Sequence, residues 1–497
     1  MTYHPTILAL EELISSSPFK YNHIYHVIDA ADFPMSLLSN LTHRLHIASL
    51  RSQNRRSKHR HFTGNRSAKV SFIITRSDLL AGQKEQVDSL MPYLQDVLRS
   101  ALGYRDKKSR LGNVICVSSE RGWWTKNLKE SIWQEGGAGW MVGKVNVGKS
   151  NLFKAIFPKG RTLMKGLLEL DAAPAATSSQ PASTSPSDQD DPSESTRSES
   201  SSQLPPAQAE TMYPVMPLIS SVPGTTVSPI RVPYGNGKGE LIDLPGLKRG
   251  ELEDYVKSKY RPGLVMKSRV VARRKVVKSD KTLLLGCLIR ITPITSDLSF
   301  IMYPFINLYP HIAVTDKAAL VHSGKRESGI QSVAENSAGQ KMASAGKIKL
   351  KWDVTKKFAG PLTTKSAVAL KPEQLPFIVF GVDVLIEGCG WVEVTAQVRR
   401  KAWNEAQGIS GVGKHSSTPP SISDGAEKDD AAPYPEIEIF SPEGRFVSSR
   451  KPMCASLFQR KRPVEAMRRK TRPRLSMKSV KARRAPGTPT GMAANAA

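Results

Sequence analysis

Short apolar runs that each stop on a polar residue recur through the first half of the chain. Residues 23–30 (HIYHVIDA) read as a buried strand ending at Asp29, and residues 70–74 as a second, running into Thr75-Arg76-Ser77-Asp78. Residues 113–117 form a third, followed by Ser118-Ser119-Glu120. Between them, residues 32–45 carry the spacing of a short amphipathic helix and residues 83–101 that of a longer one, and a further helical stretch reaches Gln134. Apolar Trp140-Met141-Val142 then lead into GKVNVGKS at 143–150 and the helical NLFKAIF. Beyond VPGTT at 222–226, a strand pair is expected at 230–233 and 240–242, the latter ending in Asp243-Leu244-Pro245-Gly246. Strands alternating with helices predict an α/β fold: an open, mostly parallel sheet whose ligand loops sit at the carboxyl ends of the strands.

From residue 260 to 401 the pattern changes to period-two and continuous β-type runs separated by turn signals, which predicts a second, strand-rich α+β domain over 259–401 with a long loop at 323–347. Residues 1–258 form the first domain. Within it, residues 172–210 are mostly Ala, Ser, Pro, Thr and Gln with six acids and one Arg, too polar to build a core, and read as a disordered insertion. Residues 402–433 read as a linker, and 434–497 as a small hairpin followed by a disordered basic tail.

Charge changes this picture. The 497 residues hold 72 Lys and Arg against 44 Asp and Glu, a formal charge of +28 that favours a polyanionic partner, either RNA or an anionic membrane surface. The excess is segmental: residues 51–61 form an exposed basic loop, and residues 445–484 hold fifteen basic residues against the single acid Glu465. Four separated cysteines with no CxxC pair argue against a disulfide framework or a tetrahedral zinc site. No apolar run reaches the roughly 18 residues of a membrane-spanning helix. The first 20 residues lack the apolar core of a secretory signal and contain Glu11 and Glu12, a poor match to a transit peptide, so localisation is not legible at that end.

The strongest chemical signal is residues 143–150. Strand, glycine-rich loop and helix together make a phosphate-binding device, and on average composition a chance match in a chain of this length is expected roughly 0.02 times. The backbone of Gly143, Lys144, Val145, Asn146, Val147 and Gly148, continuing to Asn151, would cradle phosphates at a helix N-terminus, with Lys149 on the β- and γ-oxygens and Ser150 on Mg²⁺. Thr226 in the PGTT run is expected to complete the metal shell and meet the γ-phosphate. Asp243 and the N–H of Gly246 would sense the same ion and phosphate from the other side. The base must be read elsewhere. Asp78 suits the N1–H and N2–H₂ edge of guanine, the stem of Arg76 suits the purine face, and the backbone of Ser119 suits guanine O6.

The set TRSD, SSE, GKVNVGKS, PGTT and DLPG resembles the five signature motifs of a GTPase, with the two base-reading motifs placed before the phosphate loop. That order resembles the circularly permuted GTPases that assist ribosome assembly, of the YqeH type. HVIDAADFPMSLL, RPGLVMKSR and LLLGCLIRITPI bring it closer to the fungal mitochondrial family named genetic interactor of prohibitins. The resemblance covers residues 23–310 less the insertion. It implies a circularly permuted P-loop GTPase domain using GTP, Mg²⁺ and, at Asn146, K⁺. Thr75, Arg76, Ser77 and Asp78 match the guanine motif, and Ser118, Ser119 and Glu120 the loop on O6. Lys149, Thr226 and Gly246 match the catalytic positions, and Ser150, Thr226 and Asp243 the metal positions. The implied partners are ribosomal RNA or a ribosomal particle, the mitochondrial small subunit, with peripheral membrane association as the other polyanionic contact; the implied location is the mitochondrion. The chain departs from the pattern in three ways. Thr75 stands where Asn is commonest, which predicts a weaker brace between base loop and phosphate loop. Leu247 follows Gly246 where other GTPases keep a water-orienting Gln, which predicts slow turnover awaiting an activator. Relatives also carry a Cys-rich zinc element before the first strand, and a shortened N-terminus would account for the lack of one here. Two other readings are a nucleotide-binding scaffold with negligible turnover that tethers RNA or membrane through its basic tail, and an ATPase.

Overall fold

The structure is a computed structural model that describes residues 13–14, 17–38, 41, 67–103, 111–157, 204–211, 214–219, 228–326, 329–359, 372–406 and 434–460. Its first sheet comprises β1 (Tyr21–Asp29), β2 (Ser67–Thr75), β3 (Asn113–Cys116), β4 (Gly137–Val142), β5 (Ile230–Tyr234) and β6 (Gly239–Asp243), in the spatial order β3-β2-β1-β4-β6-β5. Every neighbouring pair is parallel except β5 with β6. Five strand ends therefore share one edge, and Asp29, Thr75, Cys116, Val142 and Asp243 are the residues that reach it.

Alternation along β1 explains why this strand is central. Ile24 and Ile28 face one apolar cluster and Tyr25 and Val27 another, so the strand is covered on both sides. On the first face lies helix α1 (Lys84–Ala101), which buries Val87, Leu90, Leu94, Val97 and Leu98 at helical spacing. On the second lie α2 (Thr125–Glu135) and α3 (Lys149–Ile156), which contribute Leu128, Ile132, Leu152, Phe153 and Ile156.

A second lobe holds two antiparallel sheets. Its strands are β7 (Lys275–Lys278), β8 (Lys281–Leu285), β9 (Ile289–Pro293), β10 (Ser299–Ile306), β11 (Pro310–Val314), β12 (Met342–Lys349), β13 (Trp352–Asp353), β14 (Phe377–Ile386), β15 (Gly390–Arg399), β16 (Glu436–Pro442) and β17 (Val447–Arg450). One sheet runs β13-β14-β15-β10-β7 with β17 beside β14, and the other β11-β8-β9-β16-β12. The two lobes share apolar core as well as a polar seam. Tyr303, Phe305, Leu385, Trp391, Met453 and Ala455 join the same buried cluster as Ile28, Phe33 and α1.

Four sequence expectations are corrected here. Residues 32–38 form consecutive tight turns rather than a helix, with Met35 N–H donating to Asp32 O and Leu37 N–H to Pro34 O. The side chains of Asp32 and Ser36 are committed to Arg249 and to the N–H of Asp29, which competes with helical bonding. Residues 204–210, placed in the insertion, lie along β5: Leu204 is buried and Pro205 O accepts from Arg231. Residues 342–347, the end of the expected loop, belong to β12 (Met342–Lys349), an edge strand exposed enough to need no apolar alternation. The segment read as a hairpin is divided between sheets, because β16 pairs with β9 and β12 while β17 pairs with β14. The basic loop at 51–61, the insertion up to residue 203, VPGTT with Thr226, and the tail beyond Arg460 lie outside the described residues.

Candidate nucleotide site

At the shared edge, the phosphate loop follows β4 directly. Gly148 and Asn146 take left-handed backbone angles (φ 86° and 61°), which turn the chain into α3, and Gly143 sits so close to Val27 O that a Cβ would stand 2.6 Å from it. Lys149, buried at the start of α3, folds its ammonium back on the carbonyls of Gly143 and Lys144 at 3.1 and 2.9 Å. Ser150 Oγ donates to Asp243 Oδ2 at 3.1 Å. The segment after Asp243 runs beside the loop, with Leu247 N–H on Gly143 O at 3.1 Å and Val145 N–H on Leu247 O at 2.9 Å. Gly246 packs against Val145 with no room for a Cβ, which would meet Val145 Cα at 2.9 Å.

The loop after β2 reaches the same place. Thr75 Oγ1 lies 2.6 Å from Val147 O and 3.1 Å from Ile28 O, so the hydroxyl itself reaches the phosphate loop. Arg76 is left-handed (φ 53°), and its guanidinium donates to Asn146 O and Asp29 Oδ2, each at 2.7 Å. Its head is thereby fixed on the phosphate loop, and only its stem is left to face a base. Asp78 is 7% exposed and its carboxylate has no hydrogen bond or ion pair among the described residues. Ser77 N–H donates to Val117 O at 3.2 Å, which joins this loop to the one after β3. There, Ser118 closes a bridge with Trp123 and accepts from Arg121 N–H, while Ser119 is half-buried and Glu120 exposed. Asn151 is exposed on the first turn of α3.

Burial sets the electrostatics. It pushes the Asp243 carboxyl up to about 6, against the opposing effects of Lys149 and the Ser150 hydrogen bond. Burial likewise lowers the Lys149 ammonium to about 8, although Asp243 favours its charged form. The Asp29 carboxyl is raised by burial, with Arg76 and Arg249 opposing. Asp243 Oδ1 is buried without a partner among the described residues. An orphaned carboxylate oxygen beside a Ser hydroxyl fits a hard, oxygen-seeking cation such as Mg²⁺, which binds through one or two protein oxygens and keeps its other positions for phosphate and water. Among the described residues no group of three or more His, Cys, Asp or Glu side chains converges, so a cage built only from protein is not present there.

Sequence reasoning overlooked the residues behind the loops. The Arg249 side chain is 9% exposed, hydrogen-bonded to Asp32, 3.7 Å from Glu387 and 3.4 Å from Val145 O of the phosphate loop. Asp32 also accepts from Gly388 N–H at 3.0 Å, and Glu387 from Gly250 N–H at 2.8 Å. Asn146 Nδ2 donates to Glu253 Oε1 at 3.0 Å, which leaves its amide oxygen as the group a monovalent cation would meet. A cleft of about 560 Å³ lined by Lys248, Arg249, Tyr255, Lys341 and Glu387 lies on this seam rather than over the phosphate loop. Only the acids at 29 and 32 and the Gly250-Glu251 turn hinted at such a seam, and their partner Glu387 is far along the chain.

Fold and loops together define a mixed α/β protein in which the glycine-rich loop at 143–148 lies at the carboxyl edge of a mostly parallel sheet. No protein-family model and no curated protein matches the chain.

Proposed function

We propose that the chain is a GTP-binding, GTP-hydrolysing switch with a circularly permuted P-loop domain, acting with an RNA-rich ribosomal particle, the mitochondrial small subunit under the sequence resemblance. The observation that carries this reading is the convergence of three loops. Thr75 and Arg76 bond to the carbonyls of Val147 and Asn146, and Ser150 meets Asp243. A base-reading loop braced on a phosphate loop is what a purine nucleotide needs, since base and phosphates must be held at a fixed separation. Asp78, with no partner among the described residues, supplies two acceptor oxygens for the guanine edge that adenine does not present.

In this reading the backbone N–H groups of the loop and the N-terminus of α3 bind the phosphates, and Lys149 exchanges its two loop carbonyls for phosphate oxygens. Ser150 and Asp243 would hold Mg²⁺, with Thr226 as the further ligand. When bound, that ion neutralises charge developing on the β- and γ-oxygens. Asn146 is the candidate K⁺ ligand. Gly246 brings a backbone N–H towards the γ-phosphate.

Leu247 is 5% exposed and has no group to orient water, and that observation favours a second reading, a nucleotide-binding scaffold with negligible turnover. Multiple-turnover assays with K⁺ and purified ribosomal subunits separate the two. Release of phosphate supports the switch, and retained binding with no release under any condition supports the scaffold. The nucleotide site itself is tested by Lys149→Ala, which is expected to lower GTP affinity at least 100-fold, on the order of 3 kcal/mol. Unchanged GTP affinity, or displacement of GTP by equimolar ATP, would refute the assignment.

A further inference from the structure

Residues 267–281 (KSRVVARRKVVKSDK) leave the first lobe, where Val270 packs beside Leu79, pass through β7, the edge strand of one second-lobe sheet, and end at the first residue of β8. They hold seven Lys and Arg against one acid, Asp280. Lys267, Arg273, Arg274, Lys278 and Lys281 are exposed and Lys275 is half-exposed. None of these six forms an ion pair among the described residues, whereas three guanidiniums near the nucleotide loops and the lobe seam, those of Arg76, Arg249 and Arg450, are each ion-paired. The strip is therefore an uncompensated line of charge rather than a salt-bridged face. Edge strands often carry a lysine that discourages pairing with another chain, but that role needs charge only within the strand. Here Lys267, Arg273 and Arg274 precede β7.

The end of the described chain comes to the same place. The Gln459 side-chain amide lies 3.1 Å from both the N–H and the C=O of Ala272, in an orientation that satisfies both. Phe458 and Ala272 belong to one apolar cluster. The sequence that continues from there, residues 460–484, has twelve Lys and Arg against Glu465. The described chain thus ends beside Ala272, within the strip.

We infer that the strip at 267–281 is a docking track for the phosphate backbone of structured RNA. Its cations would displace the counterions condensed on the polymer, which is where non-specific nucleic-acid affinity comes from. The strip carries no aromatic residue on which an unpaired base would stack, and this favours a double-helical backbone read by shape over a single strand. Val271 and Val276 are 71% and 42% exposed but isolated, too little apolar surface to enter a lipid interface. The choice of RNA over DNA rests on the functional reading above.

The test uses the full chain without nucleotide, so its outcome does not depend on whether the phosphate loop binds GTP. Affinity for a 20-base-pair RNA duplex is measured across a salt series for the unaltered protein and for a variant combining Arg273→Ser, Arg274→Ser, Lys278→Ser and Lys281→Ser. Loss of four phosphate contacts is expected to reduce the slope of log K against log salt by about 3, and affinity at moderate salt roughly tenfold or more. A second variant, with Lys267→Gln, Arg273→Gln and Arg274→Gln, leaves β7 untouched and should reduce the slope by about 2. An unchanged slope in both variants overturns the proposal. So does strip-dependent binding to vesicles of phosphatidylcholine and phosphatidylserine without strip-dependent RNA binding. A DNA duplex of the same sequence that competes as well as the RNA overturns the RNA assignment.

Discussion

Lys149 and Asp243 show how far one buried pair can determine the working range of a site. Each is the other's nearest opposing charge, yet burial dominates both, lowering the ammonium to about 8 and raising the carboxyl to about 6. For the free protein the signs follow from linkage. The native state holds an extra proton on Asp243 between the ordinary carboxylate range and about pH 6, so this group's contribution to stability declines as pH rises through that window. Lys149 loses its proton early in the native state, so its unfavourable contribution is relieved only as pH rises above about 8. Between those limits both groups are charged, which is the form that phosphate and Mg²⁺ require. Affinity for Mg·GTP is therefore expected to peak between about pH 6 and 8 and to fall by about tenfold per pH unit outside that range. Calorimetric titration across pH checks this, and a flat profile from pH 5 to 9 would contradict it.

Legibility at this scale was uneven. The roles expected of Lys149, Ser150 and Asp243 rested on spacing within short motifs, and those side chains do lie together. The Arg76 guanidinium was not expected to be tied to Asp29 and Asn146, because pairing across 47 and 70 positions leaves no local pattern. The Thr75 brace shows a related limit: a hydroxyl reaches the Val147 carbonyl as an amide would, but only coordinates reveal that it is close enough.

Among elements, the strand-end loops do the positioning, and the short turn of β14 into β15 supports them from the other lobe. Arg249 follows β6 and meets Asp32 after β1, Glu387 in that turn, and Val145 in the phosphate loop. Asp29 and Asp32 are completely buried, and Arg249 is the cation nearest Asp32. Arg249→Ala is expected to lower unfolding free energy by about 3–5 kcal/mol, since it leaves a buried carboxylate uncompensated. Urea titration measures this. A loss below about 1 kcal/mol would mean the group is better solvated than its burial indicates. Strands of the first sheet were readable because burial on both faces makes each a short apolar run, and its helices because cover on one face imprints a helical period on the sequence. β12 escaped detection because it is an exposed edge, and β16 with β17 because adjacency in sequence suggested a pairing that the sheets do not use.

For the whole molecule, one apolar cluster links Phe33 and α1 to Trp391 and Met453, and Arg450 of the second lobe donates to Phe33 O at 2.5 Å. Two lobes sharing a core should unfold together. Scanning calorimetry is expected to give one transition with calorimetric and van't Hoff enthalpies in agreement, and two separated transitions would show that the lobes are independent.

The placement of β1 has a further consequence for how the molecule is made. It is the earliest strand of the sheet to be synthesised and also a central one, so β2 and β3 can be laid down on one flank before β4 and β6 exist for the other. Phe33, 417 positions ahead of the arginine that finally caps it, leaves the ribosome long before its cover does. For most of translation the nascent chain therefore displays a sticky, half-built surface, the kind of intermediate that chaperones hold until the last strands arrive.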